Sequence, residues 1–236
     1  MTYIDRYLSG EDVWQELIDH GDRVTTDPLQ SEAYQIASTI VGRAKHNIEV
    51  LIDRLGRIGY RFGWHDDSSP IPYYRGPLTD ASPATRATID HIEEVAGPLP
   101  ILFRVWCESM EEVDFSGFHP EWDSEYPDPL VVSCPGAPYV DELYSEWKME
   151  ESGELFRLEF APDFYHKANV SGGGPYSIEL PNSSIDSLVL EEPHGLYFLP
   201  YLRLCMKWGG FPGLAGLANG IPPSHLSFLT EGLLPL

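Results

Sequence analysis

Apolar residues recur at helical spacing through a long early stretch of the chain. Leu29, Ala33, Ile36, Ala37, Ile40, Ala44, Ile48, Leu51, Ile52, Leu55 and Ile58 fall every three or four positions up to Gly59. This predicts one rod of about 45 Å at 1.5 Å per residue, opened by Asp27-Pro28-Leu29-Gln30. A shorter stripe of Val13, Trp14, Leu17 and Ile18 precedes it, with Ser9 and Asp12 as a candidate capping box and Gly21 as the stop. Two more short helices are predicted from Ser82 onward, joined at the corner Gly97-Pro98-Leu99-Pro100. Ser82 caps the first, Pro83 fits its first turn, and Ile89, Ile92 and Ala96 share a face. The second carries Phe103, Trp106, Cys107 and Met110 on its apolar side, with Arg104 and Glu108 one turn apart on the other.

The period then changes. After a polar loop, Leu130-Val131-Val132 reads as a buried strand, and Val140, Leu143, Tyr144 and Trp147 as another amphipathic helix. Phe156, Leu158 and Phe160 alternate with Arg157 and Glu159, and Tyr176, Ile178 and Leu180 repeat the alternation. Pro181-Asn182-Ser183-Ser184 is turn-rich, and a further short strand is expected from Ser187 to Leu190. Phe198, Leu199, Leu202, Cys205 and Met206 restore helical spacing up to Gly209-Gly210. The expected fold is α+β, a mostly antiparallel sheet packed with helices and preceded by a helical region with one long helix. Residues 1–62 form that helical region, 63–84 a Pro- and Ser-rich connector, and 85–236 the α+β part, the whole being compatible with one continuous unit. The apolar tail with Leu226, Phe228, Leu229, Leu233 and Leu234 is expected to tuck against its own domain.

Charge changes the picture more than composition does. The net charge is -22, and residues 85–169 hold 19 carboxylates against 5 basic side chains. A surface of that sign repels phosphate backbones and anionic lipid, so neither nucleic acid nor membrane is expected as a direct partner, and a basic protein is. The first residues lack the pattern of a signal peptide and no apolar run approaches about 18 residues, so a cytoplasmic protein is expected. Cys107, Cys134 and Cys205 are dispersed without metal-ligand spacing and read as packing thiols. Arg43, Lys45, Arg54 and Arg57 make a mild basic stripe on the long helix, expected to face acidic groups of the same chain or solvent.

Two loops concentrate chemistry. From Glu111, Glu112 and Asp114 through His119, Glu121, Trp122, Asp123, Glu125, Tyr126 and Asp128, carboxylates surround aromatic residues, the anatomy of a partner-binding loop. The same loop read as solvated, with its aromatics packed inward, is the plainer alternative. No metal is expected: the acidic spacing fits no EF-hand, and one histidine is too few for zinc. The second loop, with His166, Lys167, Asn169, Ser171 and the triplet Gly172-Gly173-Gly174, offers a small-anion site. Its lysine precedes the glycines and a strand follows, the wrong order for a phosphate loop, so a turn into the Tyr176 strand is the competing reading. There is no Gly-x-Ser-x-Gly elbow and no paired-histidine motif; a Ser-His-Asp or Cys-His arrangement can assemble from distant positions and stays open, but nothing in the sequence proposes one, so no catalytic residue and no cofactor is expected.

From about Thr85 to Gly213 the order of elements carries a resemblance. A helix ending in glycine, then Leu99-Pro100, the aromatic helix with Phe103 and Trp106, the strand in Asp128-Pro129-Leu130-Val131-Val132, and the closing Phe198-Leu199-Pro200-Tyr201-Leu202-Arg203 are similar to the SMI1/KNR4 family of the SUKH superfamily. The chain departs from the family's Asn-Gly-Gly type turn after the second helix, having Glu111 to Gly117 there, and residues 1–80 lie outside the resemblance. The resemblance implies an α+β domain, no shared catalytic constellation, and a binding function. Many bacterial members resemble immunity proteins that neutralise a toxin, often a nuclease, and others look like regulatory or scaffold proteins. A non-enzymatic module for a basic, toxin-like partner is the leading expectation. The alternatives are a small-anion sensor or enzyme built on the 165–176 loop, and a regulatory subunit docked through the long helix.

Overall fold

The computed structural model describes residues 1–122, 126–150, 153–215 and 220–236. Its elements are α1 (Tyr3–Leu8), α2 (Trp14–Asp19), α3 (Leu29–Arg57), β1 (Arg61–Phe62), β2 (Leu78–Asp80), α4 (Pro83–Ala96), α5 (Ile101–Ser109), β3 (Met110–Asp114), β4 (Gly117–Phe118), β5 (Val131–Ser133), α6 (Ala137–Glu150), β6 (Phe156–Ala161), α7 (Phe164–Lys167), β7 (Tyr176–Leu180), α8 (Phe198–Lys207) and α9 (Pro223–Thr230). The named strands pair antiparallel in small sheets ordered β1-β4, β2-β3-β5 and β6-β7. With helices packed against them, the fold is α+β. Among the described residues no helix is long and apolar enough to cross a membrane.

The stripe that predicted α3 is its buried face: Ala33, Ile36, Ala37, Ile40, Ala44, Ile48, Leu51 and Leu55 are all inaccessible to solvent. α3 packs on α5 and also meets α1 and α9. One polar residue shares that face. Asn47, fully buried, donates from Nδ2 to the Leu234 carbonyl and accepts the Leu234 amide, both at 2.8 Å, so the C-terminal segment is fastened as a strand would be. The basic stripe of α3 is divided. Arg54 donates to the carbonyls of Leu229 (2.8 Å) and Glu231 (2.7 Å) at the C-terminal end of α9, and Arg43 to Pro235, where positive charge also meets the helix dipole. Lys45 pairs with Asp80 and Arg57 with Asp53.

At the corner, Ser82 and Thr85 form a reciprocal capping box and Gly97 ends α4 at φ +89°. A side chain at Gly97 would be strained there and would also meet Pro181 Cβ at 2.7 Å. Nothing on its own side caps α5. Its first amides, Ile101 and Leu102, donate instead to the carbonyls of Ser184 and Ile185 at 3.0 Å each, so the turn after β7 serves as the cap. Phe103 lies with its ring centroid 5.4 Å from both Phe160 of β6 and Phe198 of α8, which locks the corner onto the β6-β7 pair and the closing helix.

Three local expectations change. Ser9 closes α1 and does not open α2; the capping box near the start of the chain is Thr2 with Asp5, because Asp12 is engaged by the Trp14 amide. The segment expected to be a polar loop after α5 is β3, which begins at Met110 with no intervening residue because Val113 and Met110 both point into the core. Ser187 to Leu190 makes only the isolated bridges Ser177↔Leu190 and Leu188↔Tyr197. There the Ser187 amide is taken by the neighbouring Asp186 carboxylate at 2.8 Å.

Asp186 is a buried pin. It accepts from Trp14 Nε1 (2.8 Å) and from the Phe198 and Leu199 amides at the start of α8 (3.1 and 3.2 Å), tying the N-terminal helices to the closing one. Burial outweighs these donors and pushes its carboxyl up to about 6. Because the folded value lies above the unfolded one, this group favours folding most below about pH 4, and that contribution is lost as pH rises through about 6. The stability advantage of the wild type over Asp186→Asn is therefore expected to shrink by roughly 2–3 kcal/mol between pH 4 and pH 7, as read by urea unfolding. A constant difference across that range would contradict the pin's raised carboxyl.

Candidate functional site

The predicted partner loop is partly internal. His119 is buried, its Nε2 2.8 Å from the Ile58 carbonyl and its Nδ1 accepting the Glu121 amide at 3.1 Å. That pattern places the proton on Nε2. Trp122 stacks on His119 and donates Nε1 to His225 Nδ1 at 3.2 Å, with Tyr60 and Phe211 completing the aromatic cluster. Glu121 is exposed and Tyr126 half-buried, its ring set edge-on to Phe164 and Tyr165. Asp123 and Glu125 lie outside the described residues. Asp114 accepts the Ser116 amide at 2.8 Å.

Asp128 and Lys167, drawn from the two separate candidate loops, meet each other. Lys167 Nζ lies 2.6 Å from Asp128 Oδ1 with both side chains almost wholly buried, and Tyr176 donates its hydroxyl to the other oxygen at 3.1 Å. The ammonium also sits 4.3 Å from the Tyr176 ring centroid. Burial and the adjacent Asp128 charge push the Tyr176 phenol well up. Asp128 is thus withdrawn from the surface and Lys167 from the solvent. Gly213 makes room for this arrangement: a Cβ there would meet the Tyr126 carbonyl at 2.5 Å. Of the remaining anion-loop residues, His166 turns to Asp163, which caps α7, and Asn169 and Ser171 are exposed. Although burial opposes it, the bonds from His166 and the Tyr165 and His166 amides hold the Asp163 carboxyl below its ordinary range. Gly173, at φ +68°, has no space for a side chain beside Asp163, so the glycine triplet serves the turn into β7.

Glu111 and Glu112 of β3 line a different feature, a solvent-open groove of about 430 Å³. It is also lined by Ser133 at the end of β5 and Cys134 after it, by Tyr139 of α6, by Glu159 and Phe160 of β6 and by Pro162 just beyond that strand. Local structure fixes each carboxylate. Thr85, already in the α4 capping box, donates its hydroxyl to Glu111 at 2.6 Å, and Arg75 pairs with the same carboxylate at 2.7 Å. These bonds hold Glu111 below the usual carboxylate range. Burial has the opposite effect on Glu112 and pushes it up. Glu159 accepts the Tyr139 hydroxyl. Burial and the Glu159 charge raise that phenol. Three carboxylates and one guanidinium leave the groove net negative.

Arg75, Tyr139 and Glu159 were not singled out from the sequence as site residues; the available signal is that Arg75 is the only lysine or arginine between Arg61 and Arg86. Close to it in the chain stands Tyr73, fully exposed and left-handed at φ +61°, while its neighbour Tyr74 is tied to the Asp114 carbonyl. α6 borders the groove. Only Val140 of this 14-residue helix is fully buried. The helix is held by Tyr144 and Trp147 against Phe156 and by Asp141 against His91, and Asp141, Glu142, Glu146 and Glu150 are exposed. Among the described residues no group of three His, Cys, Asp or Glu side chains is placed to hold a metal ion. No family model, no curated protein and no solved structure matches the chain.

Proposed function

We propose that this chain is a non-enzymatic protein-binding module of SMI1/KNR4 type, acting in the cytoplasm on a basic partner, with a nuclease-type toxin as the class that the sequence resemblance implies. The observation that carries the reading is α6 beside the groove. A helix that buries so little of itself presents the exposed carboxylates Glu142, Glu146 and Glu150 and one lysine, Lys148, next to a groove lined by Glu111, Glu112 and Glu159, while Asp141 is taken by His91. Such a field speeds encounter with a cationic surface and selects against anionic ones. The exposed Tyr73 and Tyr139 supply aromatic contact area of the kind that anchors interfaces. The small-anion reading is weakened because Lys167 faces Asp128 in the interior.

The test is capture of partners by the tagged full chain from its native cell lysate at low and at high salt, followed by association kinetics with the protein recovered. A basic, stoichiometric partner is expected, with an association rate that falls as salt rises. The pair Glu142→Lys and Glu146→Lys should slow association about tenfold with little change in dissociation. An unchanged rate removes α6 from the interface, and the absence of any basic partner at either salt counts against the reading.

A further inference from the structure

Within the groove, the chain leaves one carboxylate oxygen unanswered. Glu112 Oε2 is shielded from solvent and has no hydrogen-bond partner among the described residues. Its other oxygen only reaches Ser133 Oγ at 3.5 Å. Arg75 Nη1 is 3.6 Å from Oε2, beyond hydrogen-bond range, because its closer partner is Glu111 at 2.7 Å. A shielded acceptor without a donor is unfavourable in the free protein and gains most from a ligand that brings one. The walls around it are apolar or aromatic: Pro135, Phe160, Pro162 and Tyr139.

We propose that this groove receives an arginine side chain of the partner, whose guanidinium donates to Glu112 and Glu159 and lies against Tyr139 and Phe160, and that Arg75 is the chain's own cation at the mouth, competing with it. The proposal rests on the protein-binding reading above and names the chemistry of the contact. Arginine fits better than lysine for three reasons. Its planar fork serves two carboxylates at once, its flat face stacks on rings, and it sheds water more readily than an ammonium. Glu111 is already satisfied by Thr85 and Arg75 and Glu159 Oε2 takes the Tyr139 hydroxyl, so the acceptors open to the guest are Glu112 Oε2 and Glu159 Oε1.

The experiment uses the full chain and an end-capped tetra-arginine peptide, with tetra-lysine and tetra-citrulline as controls, read by fluorescence anisotropy at physiological salt. The arginine peptide is expected to bind at least about fivefold more tightly than the lysine one, and citrulline not at all. Glu112→Gln should weaken arginine binding about tenfold, whereas Glu94→Gln, an equal charge change at an exposed position of α4, should change it less than about twofold. Arg75→Gln should strengthen binding severalfold, and Arg86→Gln, its charge-matched control at an exposed position, should not. If Glu112→Gln lowers the melting temperature, Glu159→Gln gives the same comparison. Equal losses in the Glu112 and Glu94 variants, or no preference for arginine, overturn the proposal. So does a failure to bind the arginine peptide, while the α6 charge reversals, outside the groove, still decide the protein-binding reading.

Discussion

Asp128→Asn is expected to cost about 3–5 kcal/mol of unfolding free energy at neutral pH, because it leaves the Lys167 ammonium buried without its counter-charge. Asparagine is the informative replacement. Asp128 sits at φ +46°, a conformation asparagine tolerates, and its amide oxygen still accepts from Tyr176, so the loss reports the missing charge and not backbone strain. Lys167→Met removes the other partner and should cost a similar amount. The double variant Asp128→Asn with Lys167→Met, which buries no charge at all, should lose less than either single change. Urea unfolding of the four proteins gives the coupling directly. Small, additive losses would mean that water reaches the pair and that its burial has been misread.

The second large effect is expected at the corner. Phe103→Ala should cost about 3–5 kcal/mol, a large share of the roughly 5–15 kcal/mol available to a domain. The ring is almost wholly buried between Phe160 and Phe198, so its removal opens a cavity where α5, β6 and α8 converge, and neighbouring aromatics held by their own contacts have little freedom to fill it. Leu8→Ala, at an exposed position of α1, should stay within about 0.5 kcal/mol. Thermal or chemical unfolding of the two variants checks the contrast, and equal losses would show that Phe103 does not bridge these elements.

Neither Asp128 nor Lys167 announces this partnership in the sequence. Each was conspicuous as a charged residue in a polar loop, and each suggested a solvent-facing role, one toward a protein partner and the other toward an anion. They lie 39 positions apart in the chain, and no local pattern links them. The groove was illegible for the same reason. Arg75, Glu112, Tyr139 and Glu159 come from four stretches, and the β2-β3-β5 pairing together with the packing of β5 and α6 on β6 brings them to one cleft. The pair Glu111-Glu112 was visible as acidity, but the division of labour between them was not. Glu111 is satisfied by a residue of the α4 cap, while Glu112 is left with a shielded oxygen that accepts no hydrogen bond among the described residues.

What the sequence determined by itself is local and periodic. The α3 stripe, the Gly97 corner and the alternation in β6 and β7 were set by helix and strand geometry, which repeats within a few residues and leaves its mark on neighbouring positions. Three things were decided by the tertiary structure. The carbonyls of Ser184 and Ile185 cap α5, the basic residues Arg43 and Arg54 of α3 bind backbone carbonyls of the C-terminal segment, and Lys167 neutralises Asp128. For the α5 amides and the Asp128–Lys167 pair a polar group taken out of water must find a partner or destabilise the fold, and in all three cases which partner is found depends on close packing between segments remote in the chain, a relation that no local pattern records.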